Sequence, residues 1–399
     1  MNICFFSKGL ATSGKHFVSR NLLAEHWARL GHRVYVVGLW DENLKNLKIK
    51  NMEFITVRDT KLKSGVLRRL YFIREFRRVL KGLLKKERID VIVAIARTEH
   101  LIIAMLNTKV LRVADYTEPS FTRLKGVKNA IAKAAENFSL NRADFIVSNV
   151  SVGISDYIKS NYPRKEQYVV EDGYDIRYFS PKRYSKQKIA SIRKRFRAAA
   201  GETLVAYTGF IGGGGVGMGK FYRTDILIGA IRKVVERDPG IKFVIAGRGP
   251  YAGTLVHNIK DWSLEKNVAY VGWKPLEDVA SYVAAADIFV IPMNQDGSLK
   301  LYECMGLGKP VVATLDDRSH GKYNRIISRD SIVQPELNED SLSEAVFRLA
   351  HNSALRRSLS QRMLKASEGR DWESVAKRYI KIIEGRLDAT SASRRRRLP

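Results

Sequence analysis

One stretch of this sequence, residues 297–314, predicts a turn, a helix and a buried strand in direct succession. It reads GSLKLYECMGLGKPVVAT, in which residues 299–307 are helix formers, Gly308 ends the helix and Pro310 leads into an apolar strand. A helix that follows a turn offers unpaired N–H groups and the positive end of its dipole to an anion. Glu303, one turn into this helix, adds a carboxylate that can accept hydrogen bonds from hydroxyls. A phosphate site beside a hydroxyl-binding carboxylate is what a nucleotide-sugar requires.

Two series of alternating strands and helices lie on either side of a turn-rich connector, VVEDGYDIRYFSP at residues 169–181. Short apolar runs separated by helices are typical of buried parallel strands, so both series predict α/β structure. Predicted strands of the first series are 1–7, 33–39, 90–96, 110–114 and 144–148. In the second, strands are predicted over 203–209, 242–246, 268–272, 288–292 and 311–314, and helices over 224–237, 276–285 and 299–307.

This pattern divides the chain into domains with a hinge at the connector. We expect an N-terminal Rossmann-like domain over 1–172 and a C-terminal one over 173–370, facing each other across a ligand-binding cleft. A C-terminal helix over 371–386 can cross back to the N-terminal domain. The basic tail over 387–399 is expected to be disordered.

Charge is the compositional outlier: 70 Lys and Arg against 41 Asp and Glu give the 399 residues a net charge of +29. Such a surface favours polyanions, among them nucleic acid, anionic lipid and phosphorylated small molecules. Two cysteines exclude a disulfide framework and a cysteine zinc site and favour a reducing compartment. With no signal peptide and no apolar run near the roughly 20 residues that span a membrane, we expect a cytoplasmic protein, soluble or peripheral.

Residues 58–88 concentrate this charge, with 12 basic side chains against three acidic ones. Apolar residues recur within it at helical spacing, at Val66, Leu70, Ile73, Phe76, Leu80 and Leu83. The pattern fits a solvated helix docked on a core and, equally, a helix lying on an anionic membrane. Both alternatives stay open from the sequence.

Several segments, taken in order, resemble the retaining family-4 glycosyltransferases of the GT-B fold. They are SGKHFVSRNLLAEHWARLGHRVYVV, EDGYDIRYFSP, YTGF, KFVIAGRGP, VAYVGW, AADIFVIP and LKLYECMGLGKPVVAT. The resemblance covers nearly the whole chain except its last dozen residues, and it implies a GT-B fold and transfer of a sugar with retained configuration. The connector departs from the family in one place, where Asp172 stands for the usual Asn.

The resemblance implies roles for residues around the predicted helix. Glu303 matches the second acid of the family's paired glutamates, which contacts the ribose of the nucleotide. The first acid, which holds the donor sugar, is replaced by Gln295, so that either Gln295 or the neighbouring Asp296 takes this role. Gly297, the N–H groups of Ser298 and Leu299, and the Lys300 ammonium would lie against the diphosphate.

Other phosphate contacts of the family are displaced in this chain. Phe210 and Tyr222 stand where the family has basic residues, and the glycine-rich IGGGGVGMGKFYRT lies between them. Its glycines, including Gly213 and Gly214, allow backbone to approach an anion, and Lys220 and Arg223 are the candidate cations. A surface loop without a ligand is the competing interpretation.

The N-terminal domain offers fewer candidates. Gly14 occupies the place of a family glycine that lets the first loop approach the donor. Where the family has a histidine beside the sugar ring, this chain has VADYTEPSF, so that Asp115 or Glu118 can serve instead. Ordinary loop carboxylates are an equally good interpretation of both.

We therefore expect a hexosyltransferase that moves a sugar from a nucleotide-diphosphate sugar to a glycan or lipid-linked acceptor in cell-surface polysaccharide or glycolipid assembly. No cofactor is implied, and the absence of Asp-x-Asp from the sequence implies no metal. The rivals are a P-loop-like NTPase and a basic nucleic-acid-binding protein. Residues 9–15 spell G-x-x-x-x-G-K, but His16 replaces the magnesium-binding Ser or Thr. No zinc-finger spacing or RNA-binding motif accompanies the positive charge, so nucleic acid is not an expected partner.

Overall fold

The computed structural model describes residues 1–13, 16–63, 65–116, 126–149, 152–214, 221–293, 299–314 and 326–395. It divides into an N-terminal unit, Met1–Asp172 together with the chain from Trp372 onward, and a C-terminal unit, Gly173–Asp371. Each unit contains its own parallel sheet flanked by helices. The prediction of an α/β protein built from two Rossmann-like domains is confirmed.

The N-terminal unit is built on a seven-stranded parallel sheet in the order β5-β4-β1-β6-β7-β8-β9, with a short antiparallel β2-β3 hairpin beside it. Its strands are β1 (Asn2–Phe6), β2 (Thr12–Ser13), β3 (His16–Phe17), β4 (Arg33–Leu39), β5 (Met52–Val57), β6 (Val91–Ile95), β7 (Leu111–Tyr116), β8 (Phe145–Ser148) and β9 (Gln167–Val169). Its helices are α1 (Leu22–Arg29), α2 (Gly65–Lys86), α3 (Arg97–Ala104), α4 (Gly126–Arg142), α5 (Val152–Asn161) and the C-terminal α13 (Trp372–Arg395).

The C-terminal unit contains a five-stranded parallel sheet in the order β12-β11-β10-β13-β14. These strands are β10 (Leu204–Phe210), β11 (Lys242–Arg248), β12 (Val268–Tyr270), β13 (Ile288–Ile291) and β14 (Val311–Ala313). The helices are α6 (Lys186–Arg195), α7 (Thr224–Arg237), α8 (Ala252–Asp261), α9 (Leu276–Ala285), α10 (Leu299–Leu307), α11 (Glu339–Ala350) and α12 (Ser353–Ser367).

Local sequence accounts for many of these boundaries. The three predicted helices of the C-terminal unit, α7, α9 and α10, span the expected residues. Glycines in the left-handed region follow the ends of α1 and α10, Gly31 at φ +94° and Gly308 at φ +61°. Because helices cover both faces of parallel sheets, the central strands are mostly apolar and almost wholly buried.

Helix α2 divides the predicted apolar stripe into two parts. From Phe72 onward it packs on the core of the N-terminal unit, through Phe72, Phe76, Leu80 and Leu83. At its N-terminal end Val66, Leu67 and Leu70 are exposed, with 67%, 54% and 56% of their surface accessible. The interpretation as a helix docked on a core therefore holds for the part of α2 from Phe72 onward. The first turns of α2 instead expose apolar side chains among cations.

The C-terminal helix is longer than the sequence suggested. Helix α13 belongs to the N-terminal unit and continues to Arg395. The basic tail was expected to be disordered over 387–399, and the helix includes its residues 387–395, a stretch with no glycine or proline and with good helix formers such as Leu387 and Ala389. Residues 396–399 lie outside the described residues.

Helix α10 packs closely against the connector at a glycine. A Cβ atom built on Gly306 would lie 2.5 Å from both the Phe179 carbonyl oxygen and Tyr174 Cδ2. Neither neighbour is the free end of a flexible side chain, so any larger residue must push the helix away from the connector. The close packing of α10 against the connector thus depends on glycine, which has no side chain, at position 306.

We expect Gly306→Ala to destabilise the C-terminal unit by about 1–3 kcal/mol, because the added methyl group overpacks this contact. Denaturant unfolding of the full chain measures the change. Gly253→Ala is the matched control, since Gly253 lies in helix α8 with no atom within 4 Å of the new Cβ. That control should leave stability unchanged or raise it by up to about 1 kcal/mol. An equal response of the two variants would contradict the close-packing argument.

Candidate functional site

The strand order of the C-terminal unit reverses between β10 and β13, which makes their carboxyl ends the topological switch point of the sheet. Chains leaving adjacent parallel strands in opposite directions open a crevice there, and ligands of such folds bind in it. The segment before α7 joins both ends: Arg223 N donates to the Pro292 carbonyl at 2.8 Å, and a backbone bridge pairs Gly213 with Arg223. The loop after β10 and the loop after β13, both predicted to bind the donor, therefore begin next to each other at the carboxyl edge of the sheet.

The glycines after β10 are required by packing. A Cβ on Gly213 would lie 2.3 Å from Tyr251 Cδ2, so the tyrosine ring occupies the space of a side chain. Gly214 has φ +74°, which favours glycine on conformational grounds. Both glycines thus bring backbone close to α8 and α7. Lys220, the other predicted cation of this loop, lies outside the described residues.

Arg223 lies at the switch point but already has an anionic neighbour. Its guanidinium donates to Asp225 from Nε at 2.9 Å and from Nη2 at 2.7 Å. The hydrogen bonds to Asp225 raise the pKa of Arg223, opposed by burial. The pair orients the guanidinium, and a bound anion would share this cation with Asp225.

Glu303 is buried on helix α10, one turn after its first residue, Leu299. The Lys300 ammonium donates to its Oε2 at 2.7 Å across the i, i+3 spacing. Burial raises the pKa of the Glu303 carboxyl, the Lys300 ammonium lowers it, and the carboxylate of Asp175 raises it further. This carboxyl is costly to keep charged, and a hydroxyl-bearing ligand would supply hydrogen bonds that offset the cost. The predicted donor residues Gln295, Asp296, Gly297 and Ser298 lie outside the described residues.

Asp175 is a neighbour of Glu303 that the sequence did not single out. It is buried in the connector. Its Oδ1 accepts a hydrogen bond from Arg177 Nε at 2.8 Å, and its Oδ2 forms an ion pair with Arg177 Nη2 at 2.7 Å. Gly306, one turn beyond Glu303, contacts the same connector. The connector therefore places the Asp175–Arg177 ion pair beside helix α10. The acidic residues of the connector were the only sign of this pair in the sequence.

In the N-terminal unit, the candidate Asp115 has a structural role. Its carboxylate is fully buried and accepts hydrogen bonds from Arg20 Nε at 2.8 Å and from the Tyr379 hydroxyl at 3.2 Å. Burial raises the pKa of Asp115, and the Arg20 guanidinium lowers it. Both carboxylate oxygens of Asp115, offered above as one of two candidates for sugar contact, are thus already hydrogen-bonded within the N-terminal unit. Glu118, the alternative, lies outside the described residues, as does Gly14.

Arg20 connects distant segments of the N-terminal unit. Besides Asp115 on β7, its guanidinium donates to Asp172 Oδ1 at 2.9 Å and to the Val170 carbonyl at 3.3 Å. Tyr379 brings the C-terminal helix α13 into the same network. The ion pair with Arg20 gives a physical reason for an aspartate at position 172, in place of the asparagine that the family-4 resemblance implies.

A second carboxyl occupies the switch point of the N-terminal sheet, between β1 and β6, and sequence reasoning missed it. Glu99 is buried in the first turn of α3, and its Oε1 accepts from the Lys8 backbone N–H at 2.7 Å. Burial raises its pKa to about 7. Ala96, between β6 and α3, has φ +76°, an unfavourable conformation for a residue with a side chain. A strained turn and a perturbed carboxyl at a sheet edge mark this as a second candidate position for ligand contact.

The described residues around the P-loop-like motif at 9–15 differ in structure from an NTPase phosphate loop. Thr12–Ser13 pairs with His16–Phe17 as an antiparallel hairpin, and helix α1 begins only at Leu22 after a short 3-10 turn. In an NTPase the lysine would stand at the start of the helix that follows the first strand. Here a hairpin lies between the first strand, β1, and helix α1, so the NTPase interpretation is not favoured.

In the described part of the chain, no three His, Cys, Asp or Glu side chains cluster as metal ligands. The helices of that same part include none with the length and apolar content that crossing a bilayer requires.

Two α/β units, each with its own parallel sheet, are the architecture of the GT-B fold. The full-length fold agrees: HepE of Anabaena, crystallised with UDP and glucose, superposes with a TM-score of 0.71 over 96% of this chain and 100% of that one, at 15% identity. Residues 214–352 match the family described as glycosyl transferases group 1. This match covers about a third of the chain and lies within the C-terminal unit.

Curated relatives are similar in sequence over part of their length. Mannosylfructose-phosphate synthase of Agrobacterium fabrum is 25% identical over 258 residues, which cover 61% of this chain and 53% of that protein. A GDP-mannose-dependent monoacylated alpha-(1-6)-phosphatidylinositol monomannoside mannosyltransferase of Corynebacterium glutamicum is 27% identical over 169 residues, 40% of this chain and 43% of that protein. The matched segments thus span about half the length of these relatives.

We expect Arg20→Met to destabilise the protein by about 3–5 kcal/mol at neutral pH, because it leaves Asp115 buried without its cation. Without Arg20 the pKa of Asp115 rises further. A raised pKa in the folded state gives stability that is present at low pH and lost as pH rises, so the defect should shrink toward pH 4. Urea unfolding at several pH values measures this.

Two further variants make this test specific. Adding Asp115→Asn to Arg20→Met removes the unpaired charge and should recover part of the lost stability and flatten its pH dependence. Lys377→Met removes an exposed ion pair with Glu373 on α13 and should cost under about 1 kcal/mol. A pH-independent loss in Arg20→Met would show that packing, and not charge, is what Arg20 supplies.

Proposed function

We propose that this protein is a glycosyltransferase that transfers a hexose from a nucleotide-diphosphate sugar to a glycan or lipid-linked acceptor. The observation that supports this most is the buried Glu303 beside Lys300 at the start of α10, next to the switch point of the C-terminal sheet. A carboxylate for ribose hydroxyls and a cation with helix N–H groups for phosphates suit one ligand, a nucleoside diphosphate. Its relatives include a mannosylfructose-phosphate synthase and a GDP-mannose-dependent mannosyltransferase.

In the proposed complex Glu303 accepts hydrogen bonds from the ribose. Arg223, Lys300 and the N–H group of Leu299 contact the diphosphate, together with Lys220 and the 295–298 segment, where Gln295 or Asp296 holds the sugar. As the bond from the sugar to the diphosphate breaks, negative charge grows on the leaving oxygen. Cations and N–H groups already oriented toward it stabilise that charge without reorganisation.

Retention of configuration is part of the same proposal and rests on the family-4 resemblance. The acceptor hydroxyl then attacks from the face of the leaving group, with the diphosphate oxygen close enough to accept its proton. This mechanism asks the protein for positioning and for electrostatic stabilisation of the diphosphate. The buried site around Glu303, where charges interact strongly, is suited to both.

We further propose that the enzyme works at an anionic membrane, on the inner face of the cell membrane, in polysaccharide or glycolipid assembly. The exposed end of α2, with Val66, Leu67 and Leu70, is accompanied by exposed cations such as Arg69 and Arg74. Helix α4 also exposes apolar residues near its start, among them Val127 and Ile131 at 75% and 65%. We call these side chains together the basic apolar surface, which consists of Lys61, Lys63, Val66, Leu67, Arg69, Leu70, Arg74, Val127 and Ile131.

The topology places both parts of this surface at one edge. Helices α2 and α4 each follow a strand of a parallel sheet, β5 and β7, so both start at the carboxyl edge. Helix α3 packs against both of them. An anionic bilayer satisfies such a surface because its headgroups attract the cations while the apolar side chains enter the interface.

The donor site is tested with UDP-, GDP- and ADP-sugars as substrates. We expect turnover of at least one, and Glu303→Gln should lower kcat/KM by about 10- to 100-fold, since a hydrogen bond to a charged group is worth roughly 1.5–3 kcal/mol. Glu344→Gln, an exposed carboxylate of the same unit paired with Arg237, is the control and should be neutral. Hydrolysis of ATP with no use of any sugar donor would overturn the proposal.

Membrane association is tested by flotation with vesicles that contain anionic lipid. The variant Val66→Ser, Leu67→Ser, Leu70→Ser should bind about tenfold more weakly or worse, because three apolar side chains no longer enter the interface. Neutralising Arg69 and Arg74 to Gln should weaken binding chiefly at low salt.

The control for this experiment is Ile176→Ser with Val256→Ser, two exposed apolar residues of the C-terminal unit. It should float as the unchanged protein does, and vesicles of zwitterionic lipid should bind all forms weakly. Full flotation of both α2 variants would place the membrane contact outside α2, and no flotation of the unchanged protein would exclude the contact altogether.

A further inference from the structure

A polar cavity lies at the amino edge of the C-terminal sheet, opposite the edge that carries the candidate donor site. Its volume is about 470 Å³, which is within the range of small-molecule pockets. Its walls include Ala286 and Asp287, which precede β13, and Lys309 and Pro310, which precede β14. Because β13 has four residues, about 13 Å separates this edge from the carboxyl ends of the strands.

Lys309 supplies a cation that has no carboxylate partner. Its ammonium donates to the carbonyl oxygens of Ala284 at 2.6 Å and of Ala286 at 2.8 Å. Among the described residues, no carboxylate oxygen lies within 4 Å of this ammonium. Burial lowers the pKa of Lys309 to about 8, although Asp287 and Cys304 act in the opposite direction. An anion in the cavity would offset the cost of holding this charge away from water.

Helix α12 adds guanidinium groups to the cavity wall. Arg356 Nη1 donates to the Leu349 carbonyl at 2.8 Å, so this guanidinium is held against the end of α11. Arg357 also lines the cavity and, in the described part of the chain, forms no ion pair. A guanidinium suits a phosphate because it offers parallel N–H groups to the phosphate oxygens. Positive charge thus lies on the cavity from two elements, the chain before β14 and helix α12.

The rest of the wall suits hydroxyl groups. Ser353, Ser360 and Gln361 line the cavity with groups that both donate and accept hydrogen bonds. The Asp287 carboxylate lines it as well, and its Oδ2 accepts from Arg193 Nη1 at 2.7 Å. No described residue donates to Asp287 Oδ1, so this oxygen is available to a hydroxyl of a ligand.

We propose that this cavity binds a phosphorylated monosaccharide, with the phosphate on Lys309 and Arg357 and a sugar hydroxyl on Asp287. A phosphate group is an anion with several acceptor oxygens, which match the cations, and a sugar ring carries hydroxyls, which match the carboxylate, hydroxyl and amide groups of the wall. A neutral sugar would leave the cations unpaired, and inorganic phosphate would leave Asp287 Oδ1 without a donor. The site lies outside the proposed donor site and would bind this ligand whatever reaction occurs there.

A ligand in this cavity would contact the end of the helix that carries Glu303. Lys309 follows α10 by two residues, and its backbone N–H donates to the Cys304 carbonyl at 2.9 Å. A phosphate paired with the Lys309 ammonium would therefore hold the turn between α10 and β14. Because the ligand binds only the folded C-terminal unit, it should also raise the melting temperature of the protein.

Binding is tested by calorimetry on the full chain. The probes are glucose 1-phosphate, glucose 6-phosphate and mannose 6-phosphate, with inorganic phosphate and glucose for comparison. We expect at least one sugar phosphate to bind about tenfold more tightly than both inorganic phosphate and glucose, because only a sugar phosphate satisfies the cations and the hydroxyl-binding groups together.

Variants of α12 and of the turn before β14 locate the site. Arg357→Gln should weaken binding of the sugar phosphate about tenfold through the loss of a charged hydrogen-bond donor. Arg357 is exposed, so the melting temperature without ligand should not change. Lys309→Met should weaken binding by at least as much. Arg362→Gln is the matched control, since Arg362 lies on the same helix, pairs with Asp330 and does not line the cavity, and it should bind as the unchanged protein does.

A further variant separates this cavity from the donor site. Arg223→Gln removes a proposed diphosphate contact at the carboxyl edge and should leave the affinity for the sugar phosphate unchanged. Arg357→Gln, in turn, should leave kcat/KM for the sugar donor unchanged. Loss of sugar-phosphate binding in Arg223→Gln but not in Arg357→Gln would place the ligand at the donor site and overturn the proposal.

Two other results would also overturn the proposal. One is binding of inorganic phosphate as tightly as every sugar phosphate, which would show that the wall recognises only the anion. The other is the absence of binding by all three sugar phosphates. If the unchanged protein uses no sugar donor and still binds a sugar phosphate through Arg357, the proposed function is wrong and this site stands.

Discussion

The divergence of two adjacent parallel strands, β10 and β13, is the constraint on which the candidate site depends. Their chains leave the sheet in opposite directions, and the backbone hydrogen bond from Arg223 to Pro292 ties the departing segments together. Parallel strands place all their carboxyl ends at one edge, so residues far apart in sequence reach a common place. Arg223, Lys300 and Glu303 follow two different strands of the same sheet.

Buried carboxylates have two opposite uses in this protein. Asp115 is satisfied by Arg20 and Tyr379 and links β7, the chain before α1, and α13 within the N-terminal unit. Glu303 has one nearby ammonium, Lys300, while burial and Asp175 both raise its pKa. A buried carboxylate whose hydrogen-bond partners all belong to the protein stabilises the fold. A buried carboxylate whose charge is costly to maintain is suited to a ligand that donates hydrogen bonds to it. Burial alone does not separate these cases, but the set of hydrogen-bond partners does.

Helix α2 shows that one amphipathic pattern can do two things. Its apolar residues from Phe72 onward pack on the core of the N-terminal unit, and those near its start are accessible to solvent. Periodicity reports that a helix has an apolar face but not where the sheet beneath it ends. The membrane proposal rests on the part of the helix that the core does not cover.

The amino-acid sequence alone determined the α/β class, the two-domain division of the strands, most strand positions and the limits of α7, α9 and α10, because these follow from local apolar patterns and helix-ending glycines. It also pointed to Glu303 as an acid one turn into a helix. It could not show that Asp115 is bound by Arg20, a residue 95 positions away, that residues 12–17 form a hairpin, or that Glu99 and Lys309 lie at sheet edges. Those facts depend on which strands are neighbours and on which partners burial brings within hydrogen-bond distance, and only the tertiary structure decides them.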